Sequence, residues 1–296
     1  MLKFICPQFV RPIFILAAPR SGSTNLFETI RRMQEPISLD RENTPLWLRV
    51  FPPKKLVSQS EYISAKECTS GNLMKLRTFF ALKLVYDRHT FRPNILINHF
   101  ILRRQIYSYL EKTIANCFHL EALKRMFPDA FYIHLVRDGR ANVSSMIEGW
   151  EKIVNVNADL PSSDSNKIQH WSYPMPPNWQ SQVKHSIEEI CAWSWVEHNR
   201  VVLEEFEREK SSNYMRIRYE NFIENPRTVL EAISKNTGLT ISADCINYLN
   251  SNPHSRTTIS PPQKDKWRKK YPNKIRRITP YIEPMMERLG YACSRV

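Results

Sequence analysis

The chain has 296 residues, 42% apolar and 11% aromatic, and its 43 Lys and Arg outnumber 29 Asp and Glu for a formal charge of +14. That apolar share excludes a disordered chain, and the length suits one domain with a substantial core. The charge fits solubility, weak attraction to nucleic acid or membrane, or a basic cleft for a polyanionic ligand. Six cysteines without a close pair or a CxxC signal neither a metal site nor a disulfide framework, so reduced thiols in the cytoplasm are expected.

The apolar start is interrupted by Pro7, Arg11 and Pro12 short of a spanning length and lacks a small-residue cleavage site. It is read as neither anchor nor signal peptide. Ile13–Ala17 is short and apolar, as in a buried strand. A helix should run from near Ser23 to about Arg32 with Leu26, Phe27, Ile30 and Met33 on one face. Leu82–Tyr86 and Ile95–Ile97 are candidate strands, followed by a short strand in "SYLEKT" and a helix in "FHLEALKRMFP" ended by Pro128. "AFYIHLV" is the clearest strand, and "RDGRANVSSMIEGW" turns into a helix. Ile187–Glu207 reads as a long helix, "YMRIRYE" as a strand, and "PRTVLEAISKNTGL" as a helix opened by Pro226 and stopped at Gly238.

Strands alternating with helices predict an α/β fold: a single P-loop-like three-layer domain over residues 1–296, with a central parallel sheet flanked by helices. The Pro-rich segment at about 155–180 carries Trp171, Tyr173 and Trp179. A loop of that length in a compact domain points to a substrate-covering lid whose rings could stack on a sugar or an arene.

Two motifs carry chemistry. Against the pattern GxxxxGK[ST], "AAPRSGST" keeps Gly22 and Thr24 but has Ala17 for the first glycine and Ser23 for the lysine. Backbone amides of Ser21 to Thr24 and the helix start behind them still form an anion cradle. Arg20 brings a guanidinium suited to gripping phosphate-like oxygens in pairs. In "HLVRDGRANVSSM", Arg137 ends a strand where open α/β sheets bind ligands, and Ser145 lies about two helical turns on. Together the motifs imply a ligand with two separated anionic groups.

"APRSGST" and "VRDGRANVSSM" resemble the two nucleotide-binding motifs of sulfotransferases that use 3′-phosphoadenylyl sulfate (PAPS). "LEKTIANCFHLEALKRMFPDAFYIHLVRDGR" resembles that family's run into its second motif, with Ile114 where a proline is common. "IRYENFIENPRTVLEAISKNTGL" and "SPPQKDKWRKKYP" resemble its C-terminal portion, so the likeness covers most of residues 12–272. Arg20 in the first loop is similar to the carbohydrate- and tyrosylprotein-type branch.

The resemblance implies PAPS as sulfuryl donor, adenosine 3′,5′-bisphosphate (PAP) as product, and no metal. It implies that the first loop holds the 5′-phosphosulfate while Arg137 and Ser145 hold the 3′-phosphate. It assigns a carboxylate base to Glu42, with Asp40 the alternative, and His99 if the chain followed the phenol branch. Lys112 would contact the transferring group and Tyr219 would pack near the adenine. Ser255, Thr257 and Thr258, with Lys266 before Trp267, would close over the nucleotide. The acceptor would be a small molecule, a carbohydrate or another hydroxyl-bearing (or amine) group. Two rival readings remain: a degenerate P-loop kinase with Asp138 holding magnesium, and a non-enzymatic binder of nucleic acid or acidic membrane using "KDKWRKKYPNKIRR".

Overall fold

The computed structural model describes residues 7–39, 42–52, 60–87, 90–152, 157–160, 166–251, 259 and 265–292. Its centre is a five-stranded parallel sheet of β1 (Ile13–Ala17), β2 (Ile37–Ser38), β3 (Tyr109–Glu111), β4 (Phe131–Val136) and β5 (Tyr214–Arg218) in the order β5-β4-β1-β3-β2. All five residues of β1 are at most 1% exposed. A continuous apolar run is what a strand covered on both faces requires. The side-chain alternation of β1 separates the two faces. Ile13, Ile15 and Ala17 pack with α1 (Ser23–Ile30) and with Leu230 and Ile233 of α8 (Pro226–Thr237). Phe14 and Leu16 pack on the opposite side with α3 (Ser70–Val85), α4 (Leu120–Met126) and α6 (Ile187–Glu209). The predicted three-layer α/β arrangement is the one observed.

From β1 the chain leaves toward β2 at one edge, whereas from β4 it leaves toward β5 at the other. Neighbouring strands whose connections depart in opposite directions open a crevice at their carboxyl ends. The loops after β1 and β4 therefore meet there.

Local signals set the helix ends. Asp138 caps α5 (Gly139–Glu151), accepting from the amides of Arg140 at 2.9 Å and Ala141 at 3.4 Å. Ser186 and Glu189 form a capping box on α6, and Gly238 ends α8 at φ 82°.

Two expected strands are helical. Leu82–Val85 is the last turn of α3, because Leu76, Phe80 and Leu84 continue one buried stripe at helical spacing. Only Tyr86 extends, pairing with Phe91 in a small hairpin. Ile95 ends a short helical turn, and Leu96 and Ile97 continue into a π-helical stretch, Leu96–Ile101. The "YMRIRYE" strand stops at Arg218, and Tyr219 opens the helix α7 (Tyr219–Glu224).

Candidate active site

The loop from Ala18 to Gly22 turns β1 into α1 through two left-handed residues, Arg20 at φ 64° and Gly22 at φ 95°. A Cβ on Gly22 would lie 2.3 Å from Cε2 of Tyr219, so both the backbone angle and the close approach of that ring require glycine. No side chain caps α1, which leaves its first amide groups directed at the crevice.

Arg137, at the tip of β4, reaches across to this loop. Its Nη1 donates to the Arg20 carbonyl at 3.0 Å, and its guanidinium lies 4.7 Å from the centre of the Tyr219 ring. Burial lowers the pKa of Arg20, and the charge of Arg137 adds to that effect. The two arginines therefore share one electrostatic environment. Asn142 of α5 donates to the Pro19 carbonyl at 2.7 Å and ties the second motif to the first loop. Ser145, half-buried, follows one turn after Asn142 on α5.

On the other side of the loop, Lys112 Nζ lies 3.3 Å from Thr24 Oγ1 and 2.5 Å from Glu42 Oε1. Glu42 Oε2 also accepts from the Ile114 amide at 3.4 Å. Arg20, Gly22, Thr24, Glu42, Lys112, Arg137 and Tyr219 are thus gathered at the carboxyl ends of β1, β3 and β4. Ser21 Oγ, buried among them, has no hydrogen-bond partner among the described residues.

A family model described as Sulfotransferase family matches residues 12–243. The chain belongs to the sulfotransferase family. Its activity is sulfuryl transfer. Similar solved structures include sulfotransferase STF9 from Mycobacterium avium, at TM-score 0.52 and 14% identity over 96% of this chain and 78% of that one. The sulfotransferase domain of the Synechococcus PCC 7002 olefin synthase aligns at TM-score 0.51 and 17% identity over 97% of each chain. A sulfotransferase from Alicyclobacillus acidocaldarius aligns at TM-score 0.51 and 12% identity over 96% of this chain and 98% of that one. At these identities the likeness is one of fold. No curated protein sequence matches the chain.

In this sulfotransferase the other expected site residues fall into three groups. Ser255, Thr257 and Thr258 lie outside the described residues, as does Asp40. Lys266 is held at 3.3 Å from Glu148, one turn beyond Ser145 on α5. His99 sits instead in the excursion between α3 and β3, where Nδ1 meets the Arg104 carbonyl at 3.0 Å. Asp138, the candidate magnesium ligand of the kinase reading, is engaged as the α5 cap and pairs with Arg140 at 2.6 Å. The basic C-terminal run is paired in part: Lys266 and Lys270 meet Glu148, Lys274 meets Glu151, and Trp267 is buried.

Trp171 and Trp179 correct the stacking expectation for the lid. Both are fully buried, 5.0 Å apart, with Trp171 edge-on to Trp150 at 5.5 Å. Tyr173 is also buried and donates to the Met146 carbonyl at 2.9 Å. Indoles of that size contribute most by leaving water, and here they do so inside the core.

The sequence reading gave Glu111 no role and so missed the support of the site. Glu111 is 3% exposed and accepts from the Thr113 hydroxyl and the Asn116 amide. Thr113 Oγ1 accepts in turn from the Asn43 amide at 2.8 Å, next to Glu42. Strand alternation could have found this, because Glu111 shares a face of β3 with the buried Tyr109. Glu111 therefore fixes from below the loop that presents Glu42.

Burial pushes the Glu111 carboxyl up to about 7, with Glu42 adding to the rise and the two hydrogen bonds opposing it. Unfolded, the group ionises near 4.5. Its share of stability is therefore complete below that value and lost as pH rises through about 7. Glu111→Gln has no such proton to lose, so its Tm should gain on the parent's between about pH 5 and about pH 8. A Tm difference that stays flat with pH in thermal unfolding would rule this out.

Proposed function

We propose that this sulfotransferase takes its sulfuryl group from PAPS and passes it to a hydroxyl or amine acceptor by in-line displacement. The observation that carries the reading is the bond of Arg137 to the Arg20 carbonyl, beside the ring of Tyr219. It brings the two anion-gripping motifs to one crevice. The α1 amides and Arg20 would hold the 5′-phosphosulfate, Arg137 and Ser145 the 3′-phosphate, and Tyr219 would flank the adenine.

Glu42 would take the acceptor proton as the acceptor oxygen or nitrogen attacks sulfur. The bond from sulfur to the bridging oxygen then breaks, and its electron pair leaves on the 5′-phosphate of PAP. Lys112, between Glu42 and Thr24, would neutralise that developing charge. The acceptor would be a small molecule, a carbohydrate or another group bearing a hydroxyl or an amine. Four buried free thiols, at Cys68, Cys117, Cys191 and Cys245, fit a cytoplasmic setting.

Thermal unfolding with PAP and with ATP tests the donor, followed by transfer of labelled sulfate to an acceptor panel. PAP should raise Tm by several degrees at about 100 times its Kd, and ATP much less. Stabilisation by ATP alone would overturn the reading in favour of a kinase.

A further inference from the structure

From the last turn of α3 to the approach of β3, the described residues between 82 and 107 make an excursion that none of the chemistry above uses. Seven of the eleven exposed large apolar side chains among the described residues lie on it. Tyr86, Phe91, Ile101, Leu102 and Tyr107 are each 53–64% exposed. Backbone hydrogen bonds hold the excursion together. The Arg92 amide donates to Val85 at 2.8 Å, Leu102 to Ile97 at 2.8 Å and Arg104 to Asn98 at 2.9 Å. An apolar concentration of this kind on a folded surface marks a binding face.

The charge along the same stretch is predominantly positive. Lys83, Arg92, Arg103 and Arg104 lie within it, and the sequence from 82 to 107 holds a single acidic residue, Asp87. Arg103 and Arg104 are exposed, and among the described residues no carboxylate pairs with any of the four cations. Arg92 donates instead to the Ser38 carbonyl at 3.3 Å, which fastens the excursion to the sheet edge at β2, four residues before Glu42.

An isologous contact with a second copy would bring two sets of these unpaired cations into one interface. A surface rich in lipid phosphates would neutralise them while apolar side chains enter the boundary between headgroups and acyl chains. We propose that the exposed side chains at 101–104, with Tyr86, Phe91 and Tyr107, form a docking surface for an anionic lipid bilayer. Ile101 and Leu102 insert, and Arg103 and Arg104 meet the lipid phosphates. The surface works independently of the donor assignment.

Co-sedimentation of the full chain with phosphatidylcholine vesicles, with and without phosphatidylserine, tests this. Binding should need phosphatidylserine, and should fall about ten-fold or more in Ile101→Asp/Leu102→Asp and in Arg103→Glu/Arg104→Glu. Both double variants should keep the parent's Tm, because they alter only exposed side chains. The same charge reversal at Lys235 and Arg276, exposed elsewhere, should leave binding intact. Three results would overturn the proposal: no binding to the anionic vesicles, an equal loss in the Lys235/Arg276 control, or a soluble dimer that Ile101→Asp/Leu102→Asp splits.

Discussion

Glu42→Gln should lower kcat by about 10²- to 10⁴-fold while PAP affinity stays within about two-fold. The amide keeps the shape of the side chain and can still accept from the Ile114 amide, where Glu42 Oε2 now sits at 3.4 Å. What it cannot do is receive a proton. It also withdraws the charge that balances Lys112 at 2.5 Å, but Lys112 keeps its contact with Thr24. Steady-state kinetics beside PAP calorimetry separates the two effects. Normal turnover with normal binding would move the base elsewhere, with Asp40 the nearest carboxylate in sequence, and would leave the donor site untouched.

Arg137→Ala should have the largest effect on donor binding, raising the Kd for PAP by about 10²-fold. The truncation removes a charge-assisted contact to the ligand of about 1.5–3 kcal/mol. It also removes the clamp on the Arg20 carbonyl and the partner of the Tyr219 ring. Arg137→Lys should recover little of this, because a point charge neither forks nor lies flat on an aromatic ring. At saturating donor the loss in kcat should be the smaller one, because no bond to the transferring sulfur is assigned to Arg137. A Kd unchanged within about two-fold would remove Arg137 from the site.

The sequence already showed the core of the sheet and the first loop, because both depend on local rules. An unbroken apolar strand such as Ile13–Ala17 has to be covered on both faces. A small-residue turn ahead of a helix has to leave amides unpaired. Pro226 and Gly238 delimit their helix by backbone geometry alone. The readings that failed turned on which side chains are buried. Leu82–Val85 looks extended until the buried stripe from Leu76 is seen to continue through it. Glu111 has no visible role until Thr113 and Asn116 are seen to fold over it. Trp171 and Trp179 look like a ligand platform until both are seen buried, with Trp150 packed against Trp171. A short motif specifies its own backbone, but burial is a property of the whole fold.

The central claim is that one nucleotide bridges the loop of Arg20 and the strand tip of Arg137. Calorimetric titration with PAP and with adenosine 5′-monophosphate, which lacks the 3′-phosphate, tests it most directly in the parent and in Arg137→Ala. The parent should prefer PAP by about ten-fold or more, the scale of one charge-assisted contact, and Arg137→Ala should bind the two nearly alike. Equal affinities in the parent, or a preference for PAP that survives in Arg137→Ala, would contradict the account.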